Sequence, residues 1–77
     1  MVRAFTLVTC AAGTSGDACA GLRDVDAVRE AHVVAGEFDV VAELEAPTVH
    51  ALLQTVTGEI RSREDVGTTR TYVCQDS

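Results

Sequence analysis

The sequence predicts a single α+β domain whose elements follow the order β-α-β-β-α-β. Two apolar, strand-like runs flank the tetrapeptide Gly36-Glu37-Phe38-Asp39, and an apolar period of helical spacing occupies residues 49–60. A run rich in Thr and Val, residues 66–74, follows near the end of the sequence. With 77 residues the chain has room for one hydrophobic core, so we expect one domain over residues 1–77.

The first part of the chain predicts a strand, a helix and a second strand. Residues 2–9 form the first strand, and Thr14 is the candidate N-cap of a helix that stops near Arg23. Asp17 lies in the first turn, where a carboxylate favours the helix dipole. The second strand falls within residues 28–35. The apolar side of the helix is formed by Ala18, Cys19 and Leu22.

The tetrapeptide predicts a tight hairpin leading into a third strand over residues 40–45. Gly36 can adopt positive φ at the turn without steric cost. Asp39 comes directly after the turn, in a segment otherwise built for burial. An unpaired buried carboxylate is costly, so either the protein or a ligand must supply a partner for Asp39.

The second helix and the last strand complete the predicted order. Pro47 suits the first helical position, and Gly58 weakens the last turn. The last strand covers residues 66–74 and is made of β-branched and aromatic residues. The apolar face of the helix is formed by Val49, Leu52, Leu53, Val56 and Ile60.

This order is that of the ferredoxin-like fold, an antiparallel sheet with two helices on one face. Strands one and three are central, and strand four is an edge beside strand one. Cys10 and Cys74 then lie at opposite ends of adjacent strands, too far apart for a disulfide. Both sheet faces carry apolar residues, including Val33-Val34 and Val40-Val41. We therefore expect a second copy to cover the free face, which gives a dimeric α+β barrel.

Composition limits the classes of function. Twelve acidic residues face six arginines and no lysine, which gives a net charge of −6 and argues against nucleic-acid binding. Salt adaptation and codon bias explain the absence of lysine equally well. No apolar run is long enough to span a membrane, so we expect a cytoplasmic protein. The scattered cysteines and histidines predict no metal, cofactor or catalytic site.

The chain resembles the effector domain of the Lrp/AsnC (feast/famine) regulator family. The resemblance rests on the opening strand (residues 2–8), on residues 28–39 with the Gly-x-aromatic-Asp hairpin, and on the Thr-x-Thr strand within residues 66–73. It implies a stand-alone effector domain without the helix-turn-helix of the full regulators. It also implies dimers packed sheet to sheet, octamer-like rings, and amino-acid effectors bound near the hairpin between dimers.

The resemblance also suggests the ligand-binding residues. Asp39 would pair with the α-ammonium of an amino acid, although a structural role capping the backbone amides of the hairpin is the alternative. Gly36 and Phe38 would offer backbone groups at the turn. Thr69 and Thr71 share one face of the last strand and would bind polar groups of a ligand. They would complete the site either within one subunit or from the last strand of a neighbouring subunit. The family commonly has Gly where this chain has Asp65.

Three functions follow from these observations. The first is a small-molecule sensor, for an amino acid, that oligomerises and modulates transcription through partners such as full-length family regulators, without binding DNA itself. The alternative is a small cofactor-free enzyme of the dimeric α+β barrel type, with a pocket inside the barrel and His32 among its few candidate groups. The third is an assembly adaptor that has lost its ligand.

Overall fold

The order of elements agrees with the order that the sequence predicts. The computed structural model describes residues 1–75, so the last two residues of the predicted domain lie outside the described residues. Within residues 1–75 no helix is long and apolar enough to cross a membrane. The elements are β1 (Val2–Cys10), α1 (Ser15–Arg23), β2 (Val28–Val33), β3 (Val40–Ala46), α2 (Val49–Thr55), a π turn (Val56–Ile60) and β4 (Val66–Val73).

The four strands form one sheet in the order β2-β3-β1-β4. All neighbouring pairs are antiparallel. As predicted, β1 and β3 are central and β4 is an edge strand beside β1. Residues 2–8 of β1 pair with residues 40–46 of β3 without a break in register. This arrangement confirms the ferredoxin-like α+β fold.

The helices pack on one face of the sheet and form the core with it. Every second residue of β3 from Val40 to Ala46 is buried, as expected for a strand covered on one side. Leu22 of α1, Leu52 of α2 and Ile60 of the π turn have no exposed surface and belong to the same buried cluster. Burial of each such side chain contributes about 1.5–3 kcal/mol, which holds both helices on the sheet.

The second helix starts later than predicted. Pro47 is not its first residue, because Thr48 occupies the N-cap position with extended backbone angles. The hydroxyl of Thr48 accepts a hydrogen bond from the backbone N–H of Ala51 at 3.1 Å. This bond satisfies one of the free amides of the first turn, so the helix begins at Val49.

The first helix lacks the predicted side-chain cap. Thr14 does occupy the N-cap position, but its hydroxyl donates to the carbonyl oxygen of Ala11 at 2.7 Å and accepts no bond from the helix. The hydroxyl therefore stabilises the turn that precedes α1. The carbonyl oxygen of Thr14 accepts the first helical bond, from Ala18 at 2.9 Å.

The end of the second helix widens into a π turn. The backbone N–H of Arg61 donates to the carbonyl oxygen of Val56 at 2.8 Å, a five-residue span. Gly58 lies in the middle of this turn, where the sequence predicts a weakened last turn of helix. Ile60 remains fully buried, so the wider turn keeps the apolar face of the helix on the sheet.

The connection between β2 and β3 is longer than the predicted tight hairpin. It takes residues 34–39, so Val34 and Ala35 lie in the loop and not in the strand. The backbone of Asp39 sets this length, because its carbonyl oxygen accepts from Val34 N–H and its own N–H donates to Val8 of β1, both at 2.9 Å. Gly36 has a φ of +156°, which confirms the positive φ expected there.

The face of the sheet away from the helices is partly apolar. Phe5 and Tyr72 are paired across β1 and β4 and are 38% and 60% exposed. Leu7 and Val41 are paired across β1 and β3 and are half-buried. The expectation of apolar residues on this outer face is therefore right for β1 and β3, whereas Val34 contributes nothing to either strand face.

The cysteines lie as the predicted topology requires. Cys10 pairs with Val66 at one end of the β1–β4 ladder. Cys74 lies at the other end, where its N–H donates to the carbonyl oxygen of Arg3 at 2.8 Å. All three cysteines carry free thiols.

Candidate functional site

Charged and polar side chains gather at the C-terminal end of β1. There the strand meets the β2–β3 loop on one side and the segment between the π turn and β4 on the other. We call the four residues Cys10, Asp39, Arg63 and Asp65 the β1-end cluster. Their interactions are electrostatic as well as hydrogen-bonded, because Asp39, Asp65 and Arg63 all act on the Cys10 thiol.

The carboxylate of Asp39 is bound to the protein's own backbone. Its Oδ2 accepts a hydrogen bond from Cys10 N–H at 2.7 Å. The protein thus supplies a partner for this carboxylate, and that partner is a backbone amide of β1, whereas the structural alternative expected amides of the hairpin. Asp39 is only half-buried, and within residues 1–75 its Oδ1 accepts no hydrogen bond. One carboxylate oxygen is therefore left for solvent or a ligand.

Arg63 and Asp65 form the other side of the cluster. The Nε and Nη2 atoms of Arg63 donate to Oδ1 and Oδ2 of Asp65, each at 3.0 Å, in a two-pronged ion pair. The carbonyl oxygen of Asp65 accepts from Ala11 N–H at 3.0 Å, which ties this segment to the residue after β1. An open groove of about 390 Å³ is lined by Arg63, Glu64 and Asp65.

The local charges shift several pKa values. Burial raises the pKa of the Cys10 thiol, and the carboxylates of Asp39 and Asp65 raise it further. The hydrogen bonds from Arg63 lower the pKa of the Asp65 carboxyl, and the same bonds raise the pKa of the Arg63 guanidinium. At neutral pH the cluster therefore combines a protonated Cys10 thiol with the Arg63–Asp65 ion pair.

A β-bulge interrupts the ladder beside the cluster. Val8 pairs with Thr69, whereas Cys10 pairs with Val66, so β4 carries one extra residue. The hydroxyl of Thr9 fills the gap by accepting from the backbone N–H of Thr68 at 2.8 Å. The approach is close enough that a Cβ on Gly67 would lie 2.9 Å from this hydroxyl, which explains a glycine there.

Thr69 and Thr71 share one face of β4, as predicted, and the structure shows that it is the face covered by the helices. Their partners in β1 are Val8 and Thr6, both fully buried, and the intervening Arg70 is exposed. The hydroxyls of Thr71 and Thr6 are 3.0 Å apart and form a hydrogen bond. Thr71 therefore satisfies a polar group of the core, which a buried hydroxyl requires.

The predicted ligand-binding residues are only partly brought together. Asp39 bonds to Val8 from the β3 side, and Thr69 pairs with Val8 from the β4 side. Two strand spacings put them about 10 Å apart at one end of the sheet. Phe38 is half-buried beside Asp39, whereas Gly36 is exposed in the loop.

The histidines do not join this site. His32 lies on edge strand β2, is exposed, and has its Nε2 3.2 Å from Oε1 of Glu30. His50 is exposed in the first turn of α2. In the part of the chain that the structure describes, no three His, Cys, Asp or Glu residues are grouped so that they could hold a metal ion.

Sequence reasoning missed Arg63 and the role of the Cys10 backbone. An Arg-x-Asp sequence just before a strand is only weak evidence for a structural ion pair, because most such charged side chains are solvated. A stronger signal was Gly21 inside α1, because a glycine in a helix costs about 1 kcal/mol relative to alanine and often marks a close approach. The hydrogen bond of Cys10 is made by its backbone, which its residue type does not reveal.

These features define a ferredoxin-like α+β domain with a polar cluster at one end of a central strand. A family model described as the Lrp/AsnC ligand binding domain matches residues 3–77. The chain belongs to this family. The resemblance stated from the sequence is thereby confirmed.

Solved structures agree with this assignment. The crystal structure of FFRP-DM1 is 35% identical with a TM-score of 0.93, over 97% of this chain and 100% of that chain. The hypothetical protein PHS023 from Pyrococcus horikoshii is 34% identical with a TM-score of 0.92, over 100% of this chain and 93% of that chain. A comparison with curated proteins gives no match.

A more distant structure is solved with a small molecule. It is the transcriptional regulator NMB0573 from Neisseria meningitidis in complex with L-Met, 18% identical with a TM-score of 0.85. The alignment covers 97% of this chain and 50% of that chain. At this identity the likeness shows a shared fold.

Proposed function

We propose that this domain senses a small molecule, an amino acid, and passes the signal on through oligomerisation. The observation that carries the proposal is the carboxylate of Asp39, which is fixed through Oδ2 and open at Oδ1 in a ligand-binding-domain fold. A carboxylate held in this way is pre-organised to accept an ammonium group. The L-Met complex of the Neisseria meningitidis regulator supports an amino acid as the ligand class.

The residues around Asp39 supply the other contacts. The 34–39 loop offers backbone groups of Gly36 and Phe38, and Thr69 offers a hydroxyl across β1 or from a neighbouring subunit. Thr71 contributes less than the sequence suggests, because its hydroxyl is bonded to Thr6. A charge-assisted hydrogen bond donated by a ligand ammonium to Asp39, about 1.5–3 kcal/mol, would account for roughly ten- to a hundredfold in affinity.

A second copy of this chain is the first partner we propose. Phe5 and Tyr72 are exposed side by side on the outer face of the sheet, with Leu7 beside them. Packing two such faces together would bury this apolar strip in a sheet-to-sheet dimer, and further contacts would build a ring. Light scattering at micromolar concentration should show a dimer or larger species, and a stable folded monomer would refute this part.

Sensing and assembly are linked in this proposal. A ligand bound between dimers must shift the assembly equilibrium by the same free energy with which assembly shifts its affinity. The signal would reach transcription by co-assembly with full-length regulators in the cytoplasm. With a net charge of −6, the domain itself would not bind DNA.

A thermal-shift screen with the twenty amino acids tests the proposal. We expect at least one to raise the melting temperature of the wild type, and the shift should disappear in Asp39→Asn. This variant keeps an oxygen that can accept from Cys10 N–H but loses the charge. No shift with any amino acid would refute sensing of that class, and an equal shift in Asp39→Asn would refute the role of Asp39.

A further inference from the structure

The guanidinium of Arg63 lies against α1 where a side chain of residue 21 would otherwise be. A Cβ built on Gly21 would come to 2.5 Å from Cζ and 2.7 Å from Nη2 of Arg63, well inside normal contact. Arg63 is only partly exposed in this position. Gly21 therefore provides the space that the guanidinium occupies against the helix.

The same guanidinium orients the segment that leads into β4. Its two bonds to Asp65 fix the carboxylate, and the carbonyl oxygen of Asp65 accepts from Ala11 N–H. The backbone N–H of Arg63 also donates to Ile60, at 3.2 Å, so the segment is held to the end of the π turn as well. These contacts join α1 to the start of β4 and to the end of β1.

The peptide bond between Cys10 and Ala11 connects these contacts to the candidate ligand site at Asp39. Ala11 is bonded to Asp65, and the preceding residue, Cys10, is bonded to the carboxylate of Asp39. The bulge beside Cys10 removes regular ladder bonds at this point. The orientation of the Cys10 N–H thus depends on side-chain contacts more than it does elsewhere in β1.

We propose that Arg63 is a positioning residue, which lies on Gly21, holds Asp65, and thereby fixes the end of β1 that binds Asp39. Its importance for ligand binding rests on the proposed function, but the positioning itself is a property of the protein without ligand. Asp65 supplies both the carboxylate that the guanidinium holds and the carbonyl oxygen that accepts from Ala11 N–H. Arg63 would not touch the ligand.

Amide hydrogen exchange followed by NMR tests this directly. Relative to wild type, Arg63→Ala should speed exchange at Ala11 and Cys10 roughly tenfold, while amides of β3 such as that of Ala42 should stay protected. The matched control is Arg61→Ala, an exposed arginine two residues earlier whose side chain makes no ion pair within residues 1–75. Arg63→Lys keeps the positive charge but cannot form the bidentate contact with Asp65, so its exchange rates at Ala11 and Cys10 should lie between those of wild type and Arg63→Ala.

Gly21→Ala provides a second route that leaves every charge in place. The methyl group should displace the flexible guanidinium and leave the backbone where it is, so the variant should fold. It should raise the pKa of Asp65 towards its ordinary value and speed exchange at Ala11. In the double variant Gly21→Ala, Arg63→Ala, amide exchange at Ala11 should be no faster than in Arg63→Ala alone.

The outcomes separate this proposal from the proposed function. Equal exchange at Ala11 and Cys10 in Arg63→Ala and Arg61→Ala would overturn the positioning role, whatever the amino-acid screen shows. An unchanged Asp65 pKa in Gly21→Ala would overturn the part assigned to Gly21. Failure of every amino acid to bind the wild type would count against sensing only.

Discussion

At its N-terminal end β1 pairs in unbroken register with β3, whereas at its C-terminal end the ladder to β4 breaks and side chains take over the bonding. The first end carries the Arg3–Glu43 ion pair on the outer face, with Arg3 Nη2 2.8 Å from Glu43 Oε2. The other end carries the β1-end cluster. Both ends hold charged pairs, but only at the second do side chains accept from backbone amides, Asp39 from Cys10 N–H and Thr9 from Thr68 N–H.

The difference explains why polar side chains gather at one end of β1, where we propose the ligand site. Where the β-ladder is regular, backbone groups bond to each other, and charged side chains such as those of Arg3 and Glu43 bond only to other side chains. Where the bulge and the loops leave backbone groups without strand partners, carboxylates and hydroxyls are recruited to them, as Asp39 is to Cys10 N–H. We therefore expect substitutions at the C-terminal end to have larger effects.

The largest effect is expected for Asp39→Ala. It removes the acceptor of Cys10 N–H and should lower the free energy of unfolding by about 1–3 kcal/mol, measured by urea denaturation. Asp39→Asn keeps an acceptor and should cost less than about 1 kcal/mol. The bond to Cys10 therefore predicts a folded, less stable variant. Equal stability of the two variants would contradict this difference.

The fold was predictable because its signals are local. The alternation of buried residues along β3 and the helical period of α2 can be read from neighbouring positions. The boundaries were less predictable, because similar residues compete for one position. Pro47 and Thr48 both suit the start of a helix, and the side-chain bond to Ala51 decides in favour of Thr48.

The site was only partly predictable because its contacts join distant parts of the chain. Asp39 was identified from its place after the hairpin, but nothing local indicates that its partner is the amide of Cys10. The contact of Arg63 with Gly21 depends on how α1 packs against the segment before β4, to which a single sequence gives no direct access. The same holds for the hydroxyl pair that occupies Thr71.

An intermediate effect on the free energy of unfolding is expected for Asp65→Asn, and it should depend on pH. The ion pair with Arg63 lowers the pKa of Asp65 in the folded protein, so its stabilisation is complete above the unfolded pKa, about 3.9, and is lost as pH falls through the lower folded value. Asp65→Asn should be less stable than wild type at pH 7, and the difference should shrink below about pH 4. Urea denaturation across this range measures it. A difference that does not change with pH would contradict the ion pair as its source.

The smallest effect is expected at the N-terminal end, for Glu43→Gln. The side chains of Arg3 and Glu43 are 40% and 21% exposed, so water and salt screen the pair, and the backbone ladder around it is complete. We expect the melting temperature to fall by no more than about 2 °C in the protomer. The pair lies on the face that the proposed dimer would cover, however, and covering would remove the screening. A loss that grows when the protein is diluted would therefore place Glu43 in the sheet-to-sheet interface. A loss that is large and independent of concentration would contradict the contrast between the two ends of β1.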